Sequence, residues 1–303
     1  MSINEKKRGL TNIMRHTFSV LCMTAVLACV TTSASVAADK PEEVKKARPA
    51  DDFLILPLRV YRLKAEDVPD VHCHQLSDAD IRRIIDKVNL VWSAAGIYWD
   101  LESVQDLPAR NPGRIKLVGI ADEKDAPEKK KTAKKSHLLF RDLIPDETRT
   151  GFDGYRIYYI HDFDVNGVYF GRREAMVKET AALRPVEDGI DEPLPRVSSH
   201  ELGHGLGLPH RQDRINLLAS GTTGTLFNTD EIAKTRENAE KNKACLKFAE
   251  LVKKAEVEAD ATAKRRYDQA ACMIRAMAGE AVHPLPEAMK SLTKRLAAAD
   301  SGK

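Results

Sequence analysis

An α+β domain followed by a helical extension is the fold class this sequence predicts, on three observations. A β-α-β pattern fills residues 53–104. Further strand-like runs lead to a histidine-bearing helix near residue 200. Beyond Asn228 the composition turns to Ala, Lys, Glu and Arg with scattered apolar positions, which reads as two or three helices in a hairpin or small bundle. The expected organisation is an export signal over residues 1–37, a flexible lead or short pro-segment over 38–52, the main domain over 53–235 and the helical extension over 236–303.

Taken in order, Lys6, Lys7, Arg8 and Arg15 precede an apolar run from Val20 to Val30, and small residues follow at Ser35, Ala37 and Ala38. That run is shorter than the ~20 residues a membrane-spanning helix needs. No stable membrane span is therefore expected, and the chain is read as secreted or periplasmic. A lipoprotein attached at Cys29 is the less favoured alternative, because Leu27 is awkward for lipidation. Residues 39–52 are charged, carry prolines and hold little to bury, which suits a flexible lead.

Residues 53–63 read as a strand in which Leu54, Leu56, Leu58 and Val60 alternate with Pro57, Arg59 and Tyr61. Ser77 and Asp80 are spaced to cap a helix whose apolar stripe is Ile81, Ile84, Ile85, Val88 and Trp92, and Gly96 ends it. Ile97 to Val104 returns as a strand, so a parallel pair with a crossover helix is expected. A lysine-rich, low-complexity stretch near residues 123–136 reads as a solvated insertion. Tyr155 to His161 and Glu174 to Thr180 are strand-like, with a turn at Asn166-Gly167 between them. Pro193 and Pro195 are expected to precede the histidine helix, and Asn228 with Glu231 to cap the first helix after it.

The formal net charge of +3 is too small to imply nucleic acid as a partner. Outside the signal the chain keeps Cys73, Cys245 and Cys272. In an oxidising compartment two could pair, and Cys245–Cys272 is the preferred bridge, leaving Cys73 odd. His72, Cys73 and His74 are adjacent, but consecutive residues of an extended chain point in alternating directions, so no metal is expected on that tripeptide.

The chemistry is concentrated in HELGHGLGLPH, residues 200–210. His200 and His204, four apart, share one face of a helix and can converge on one Zn²⁺ at ~2.0–2.1 Å. A third ligand requires the chain to turn, and Gly207 can adopt the left-handed conformation that brings His210 back. Three histidines leave a fourth position for water, the arrangement of a catalytic site. Glu201, beside a ligand, is placed to take a proton from that water and deliver it to a leaving amine. Each of Gly203, Gly205 and Gly207 costs a helix interior about 0.8–1 kcal/mol relative to Ala. A helix kept only for packing has little cause to carry three.

The pattern H-E-x-x-H-x-x-G-x-x-H resembles that of the metzincin clan of zinc peptidases. The resemblance covers roughly residues 53–235 and implies a metzincin-like catalytic domain, with a twisted mixed sheet and two long helices. It implies one catalytic zinc on His200, His204 and His210, a turn beneath the metal at residues 216–221, and a peptide substrate paired to an exposed sheet edge at Glu174, Ala175, Met176, Val177 and Lys178. Two positions depart from the clan. Leu218 stands where the turn has methionine, a nearly volume-conserving change that keeps an apolar floor. Ser220 stands where several members have tyrosine, so that contact is not carried over.

The function implied is a secreted zinc metalloendopeptidase acting on proteins or peptides. The alternative is a non-enzymatic extracytoplasmic zinc protein that binds a partner through its helical tail. A zinc hydrolase of non-peptide amides is a third reading.

Overall fold

The computed structural model describes residues 48–113 and 140–282. The expected signal, most of the lead, the lysine-rich stretch and the end of the extension lie outside the described residues.

Strand β1 (Leu54–Lys64) runs through the middle of a six-stranded sheet. It pairs in parallel with β2 (Ile97–Pro108) on one side and β3 (Tyr155–Ile160) on the other. Helix α1 (Asp78–Trp92) makes the crossover from β1 to β2. The capping box is formed: Ser77 Oγ accepts from the Asp80 N–H and the Asp80 carboxylate accepts from the Ser77 N–H. The stripe from Ile81 to Trp92 is buried, and Gly96 stops the turn after the helix at φ +64°.

Beyond β3 lie β5 (Glu174–Lys178), parallel to it, and β4 (Gly167–Tyr169), antiparallel to β5 and at the edge. Asn166-Gly167 is therefore not the turn expected. Gly167 opens β4, and the reversal comes at Gly171–Arg173, three residues that all take positive φ. A three-residue strand opened by glycine carries almost no periodicity to read. A last short strand, β6 (Leu246–Lys247), pairs antiparallel with Leu54 and Ile55 at the start of β1.

Both faces of the sheet are covered, which is why β3 is buried throughout and β1 has no exposed residue. Leu54, Leu56, Leu58 and Val60 face α1 and α2 (Pro193–Gly205) in one core that also takes Ile232 of α3 (Thr229–Glu240). Pro193 and Pro195 lie inside the first turn of α2 rather than before it. At the first helical position proline gives up an N–H that would have no partner. On the reverse face, Phe53, Ile55 and Tyr98 share a second core with α4 (Phe248–Val257) and α5 (Ala261–Met277). A third core holds Tyr61, Leu63, Tyr158, Ile160 and Met176 with Phe140, Leu143 and Ile144. The helices after Asn228 thus spend their apolar stripes on the sheet.

Two further expectations are corrected. The end of the lead is not flexible: Ala50–Asp52 forms a 3₁₀ turn whose Ala50 is buried in the second core, and Arg48 Nε donates to Ala94 O at 3.1 Å. The Cys245–Cys272 bridge is not formed, and Cys73, Cys245 and Cys272 are all free thiols. Cys245 is not helical; it precedes β6 and packs against the first core, whereas Cys272 lies well along α5 on the other side of the sheet. Among the described residues no helix is long and apolar enough to cross a membrane.

Candidate metal centre

Helix α2 brings His200, Glu201 and His204 to one place, and its end explains the glycine. The Gly207 N–H donates to His204 O and the Leu208 N–H to Gly203 O, both at 3.0 Å, with Gly207 at φ +86°. This is the Schellman arrangement, and it turns the chain so that His210 comes back toward the helix. Asn238 of α3 fixes the same turn by donating to Leu206 O at 2.7 Å. A side chain at Gly207 would meet that amide nitrogen at 2.6 Å.

The three imidazoles converge through their Nε2 atoms, 3.1 Å apart for His200 and His204 and 3.2 Å for His204 and His210. Tetrahedral ligands at ~2.0–2.1 Å from zinc lie ~3.3–3.4 Å apart, so the spacing fits one ion. The opposite ring nitrogens set the tautomer. His200 Nδ1 donates to Leu217 O at 2.8 Å and His204 Nδ1 to Leu208 O at 2.7 Å. Carbonyls only accept, so the bond at His204 puts hydrogen on Nδ1 and leaves the Nε2 lone pair for a metal. The Leu217 carbonyl favours the same tautomer at His200, where the Arg196 guanidinium also faces Nδ1. Burial, with the Arg196 and His204 charges next, pushes His200 down to about 3 and keeps it neutral, as a ligand must be. The residues present therefore fit a metal, and three imidazoles with an open side suit zinc.

Glu201 is almost fully buried beside the cluster. Burial pushes its carboxyl up to about 8, while Arg196 and the backbone N–H of Tyr169 pull the other way. β4 supplies the close approach: a Cβ on Gly167 would lie 2.7 Å from Glu201 Oε1 and from Val197 Cγ1. A cleft of about 350 Å³ opens here, lined by Val165, Gly167, Leu183 and Ser220 together with His200, Glu201 and His210.

Leu218 is wholly buried, and its two methyls would stand 3.4 Å from a Cβ on Gly203, between the two helical histidines. It thus forms an apolar floor under the helix. The turn around it is held by Asn216, whose Oδ1 accepts from the Leu218 N–H at 2.7 Å and whose Nδ2 donates to buried Glu231 at 2.8 Å. Leu218→Met is expected to change stability by less than ~1.5 kcal/mol. A thermal melt checks this, and a larger loss would mean that the floor is shaped specifically for leucine.

Sequence reasoning missed Arg196, one turn before His200 and buried. Its guanidinium donates to Gly224 O at 3.1 Å, to Asn216 O at 3.4 Å and to Ala219 O, and Nη1 lies 2.9 Å from His200 Nδ1. Two carbonyls of the turn, Asn216 and Ala219, and that of Gly224 just beyond it are thereby tied to the helix, and Leu217 between the first two orients His200. The spacing i, i+4 from a ligand was the available signal. Arg196→Met is expected to weaken metal binding ~10–100-fold, as loss of an outer-shell partner does. Competition with a chelator of known affinity measures it, and an unchanged affinity would remove Arg196 from the positioning role.

Residues Glu174 to Lys178 form a strand as expected, but not an edge. Ala175 to Val177 pair with β3 on one side and β4 on the other, so their main-chain groups are already taken. The free edge nearest the histidines is β4.

No protein-family model matches the chain. No curated protein is detectably similar in sequence. Among solved structures it is similar to one described as a chaperone-substrate complex, with 13% identity and a TM-score of 0.37 over 63% of this chain and 35% of that one. It is also similar to metalloproteinase-II from Bacteroides fragilis, with 14% identity and a TM-score of 0.34 over 66% of this chain and 57% of that one. The chain thus spans less than two thirds of either.

Proposed function

We propose that this chain is a zinc-dependent metalloendopeptidase of the metzincin type that acts outside the cytoplasm. The observation that carries the reading is the convergence of the His200, His204 and His210 nitrogens beside a buried, unligated carboxylate on the same helix. Export is supported by the basic and apolar pattern of the first forty residues.

His200, His204 and His210 would hold the zinc, whose Lewis acidity activates water and polarises the scissile carbonyl. Glu201 takes the proton of the attacking water and returns it to the leaving amine nitrogen, and burial tunes its carboxyl toward that exchange near neutral pH. The outer edge of β4 offers main-chain groups to an extended peptide, which lies across the cleft with one side chain near Leu183 and Val197. Gly167 keeps that strand close enough to Glu201 for substrate and base to meet.

The test is cleavage of casein or a quenched peptide library by the zinc-loaded chain, with loss on chelation and recovery on adding zinc. Stoichiometric zinc without turnover on any peptide would favour the non-enzymatic reading. That reading draws on helices whose apolar stripes are packed against the sheet.

A further inference from the structure

A second group of ligating side chains meets at the ends of β1, β3 and β5. These strands are parallel neighbours, so the residues just past their C-terminal ends emerge side by side. His74 lies in the loop after β1, His161 directly follows β3 and Glu179 directly follows β5. Their ligand atoms all lie within 4.8 Å of one another.

The Glu179 carboxylate is built into place, its side chain having no exposure to solvent. Oε2 accepts from the backbone N–H of Gln75 at 2.9 Å and from the Cys73 thiol at 3.1 Å. Oε1 accepts from the backbone N–H of His74 at 3.1 Å and faces two imidazoles, His161 Nδ1 at 2.8 Å and His74 Nδ1 at 3.4 Å. The two rings lie 4.6 Å apart, tilted by 35°. The His74 side chain is 50% exposed and that of His161 23%, so the open side of the cluster reaches solvent.

Two imidazole nitrogens and a buried carboxylate oxygen converging on one point form a donor set suited to a single cation. A divalent cation held by the two ring nitrogens and Oε1 of Glu179 would offset the buried carboxylate charge and leave the open side of the cluster to solvent ligands. The two backbone N–H groups and the thiol then become the outer shell that orients it. His74 Nδ1 also lies 2.9 Å from His72 O, and an exposed ring can turn from that carbonyl to a metal.

We propose that His74, His161 and Glu179 form a second cation site, for a divalent transition metal of the zinc class, separate from the His200–His204–His210 centre. Two imidazoles and one carboxylate favour such a metal over calcium or magnesium, which take oxygen ligands. The adjacent tripeptide His72-Cys73-His74 does not chelate by itself: His72 Nδ1 is occupied by the Ala65 N–H, the Cys73 thiol goes to Glu179, and only His74 joins the cluster. An ion here would pin the loop after β1 to the ends of β3 and β5. It would also steady the segment after His161, whose Asp164, Val165 and Asn166 wall the cleft.

The experiment counts bound metal by atomic emission after the stripped full-length chain is dialysed against buffered free Zn²⁺. Wild type is expected to bind two equivalents, His74→Ala and His161→Ala one each, and the double variant His200→Ala/His204→Ala one. Thermal melts of the two single variants establish that they fold, and His74→Ala at a half-exposed position decides alone if His161→Ala does not. The proposal is overturned if both single variants hold as much zinc as wild type, or if the double variant holds none. A double variant that still binds two equivalents would instead remove the metal centre in the cleft.

Discussion

Glu201→Gln is expected to lower peptide hydrolysis ~10²–10⁴-fold, the contribution of a positioned acid–base group, while zinc stays bound. The metal is retained because the carboxylate is not among the converging atoms; the three imidazole Nε2 groups are. The amide keeps nearly the shape of the carboxylate, so the contact with the Tyr169 N–H and the packing against Gly167 survive. Only the ability to take and return a proton is lost. Steady-state rates with a quenched peptide, together with zinc content and a thermal melt, separate chemistry from folding. Wild-type turnover in Glu201→Gln would rule out this carboxylate as the base.

The second large effect is expected from ending the chain at Glu240, which removes β6, α4 and α5. Phe53, Ile55 and Tyr98 would lose their cover, and Phe248, Leu251 and Ile274 would be gone from the same core. Burying a large apolar side chain contributes ~1.5–3 kcal/mol. Uncovering three of them, with the rest of that core lost, is comparable with the ~5–15 kcal/mol by which domains are stable. The shortened chain is expected to show no cooperative thermal transition and to aggregate. A soluble truncation that melts cooperatively and holds zinc would mean that these helices are an appendage after all. Within the full chain, Leu251→Ala is expected to cost ~2–5 kcal/mol as a smaller version of the same loss.

How much of this was legible in the sequence depended on how local each signal was. The Ser77 and Asn228 capping boxes, the α1 stripe and the β1 alternation are written within a few residues, and each formed as read. The histidine triad belongs to the same class, because one helical turn and one glycine carry all three rings. What the sequence withheld are pairings between distant segments. The apolar stripes of α4 and α5 were visible, but nothing in them says that Phe53 and Tyr98 are their partners. β5 was read correctly as a strand and wrongly as an edge, since the three-residue β4 that covers it has no pattern of its own. Arg196 looks like an ordinary helical arginine until the carbonyls of the following turn surround it. Glu179 and His74 are about a hundred residues apart, and only the parallel register of β1, β3 and β5 makes them neighbours.

The pairing of Leu54 and Ile55 with Leu246 and Lys247 has a consequence for how the molecule comes to be. β1 and β6 are far apart in sequence, so their pairing closes a long loop and is slow to form. A chain that emerges N-terminus first carries a central strand whose reverse face has no cover until α4 and α5 have been made. The turn that carries His210, held from α3 by Asn238, likewise waits for residues that come later in the chain. Until those later segments arrive, the uncovered apolar face is open to association with neighbouring chains, and docking of the helices ends that exposure by burying Phe53, Ile55 and Tyr98.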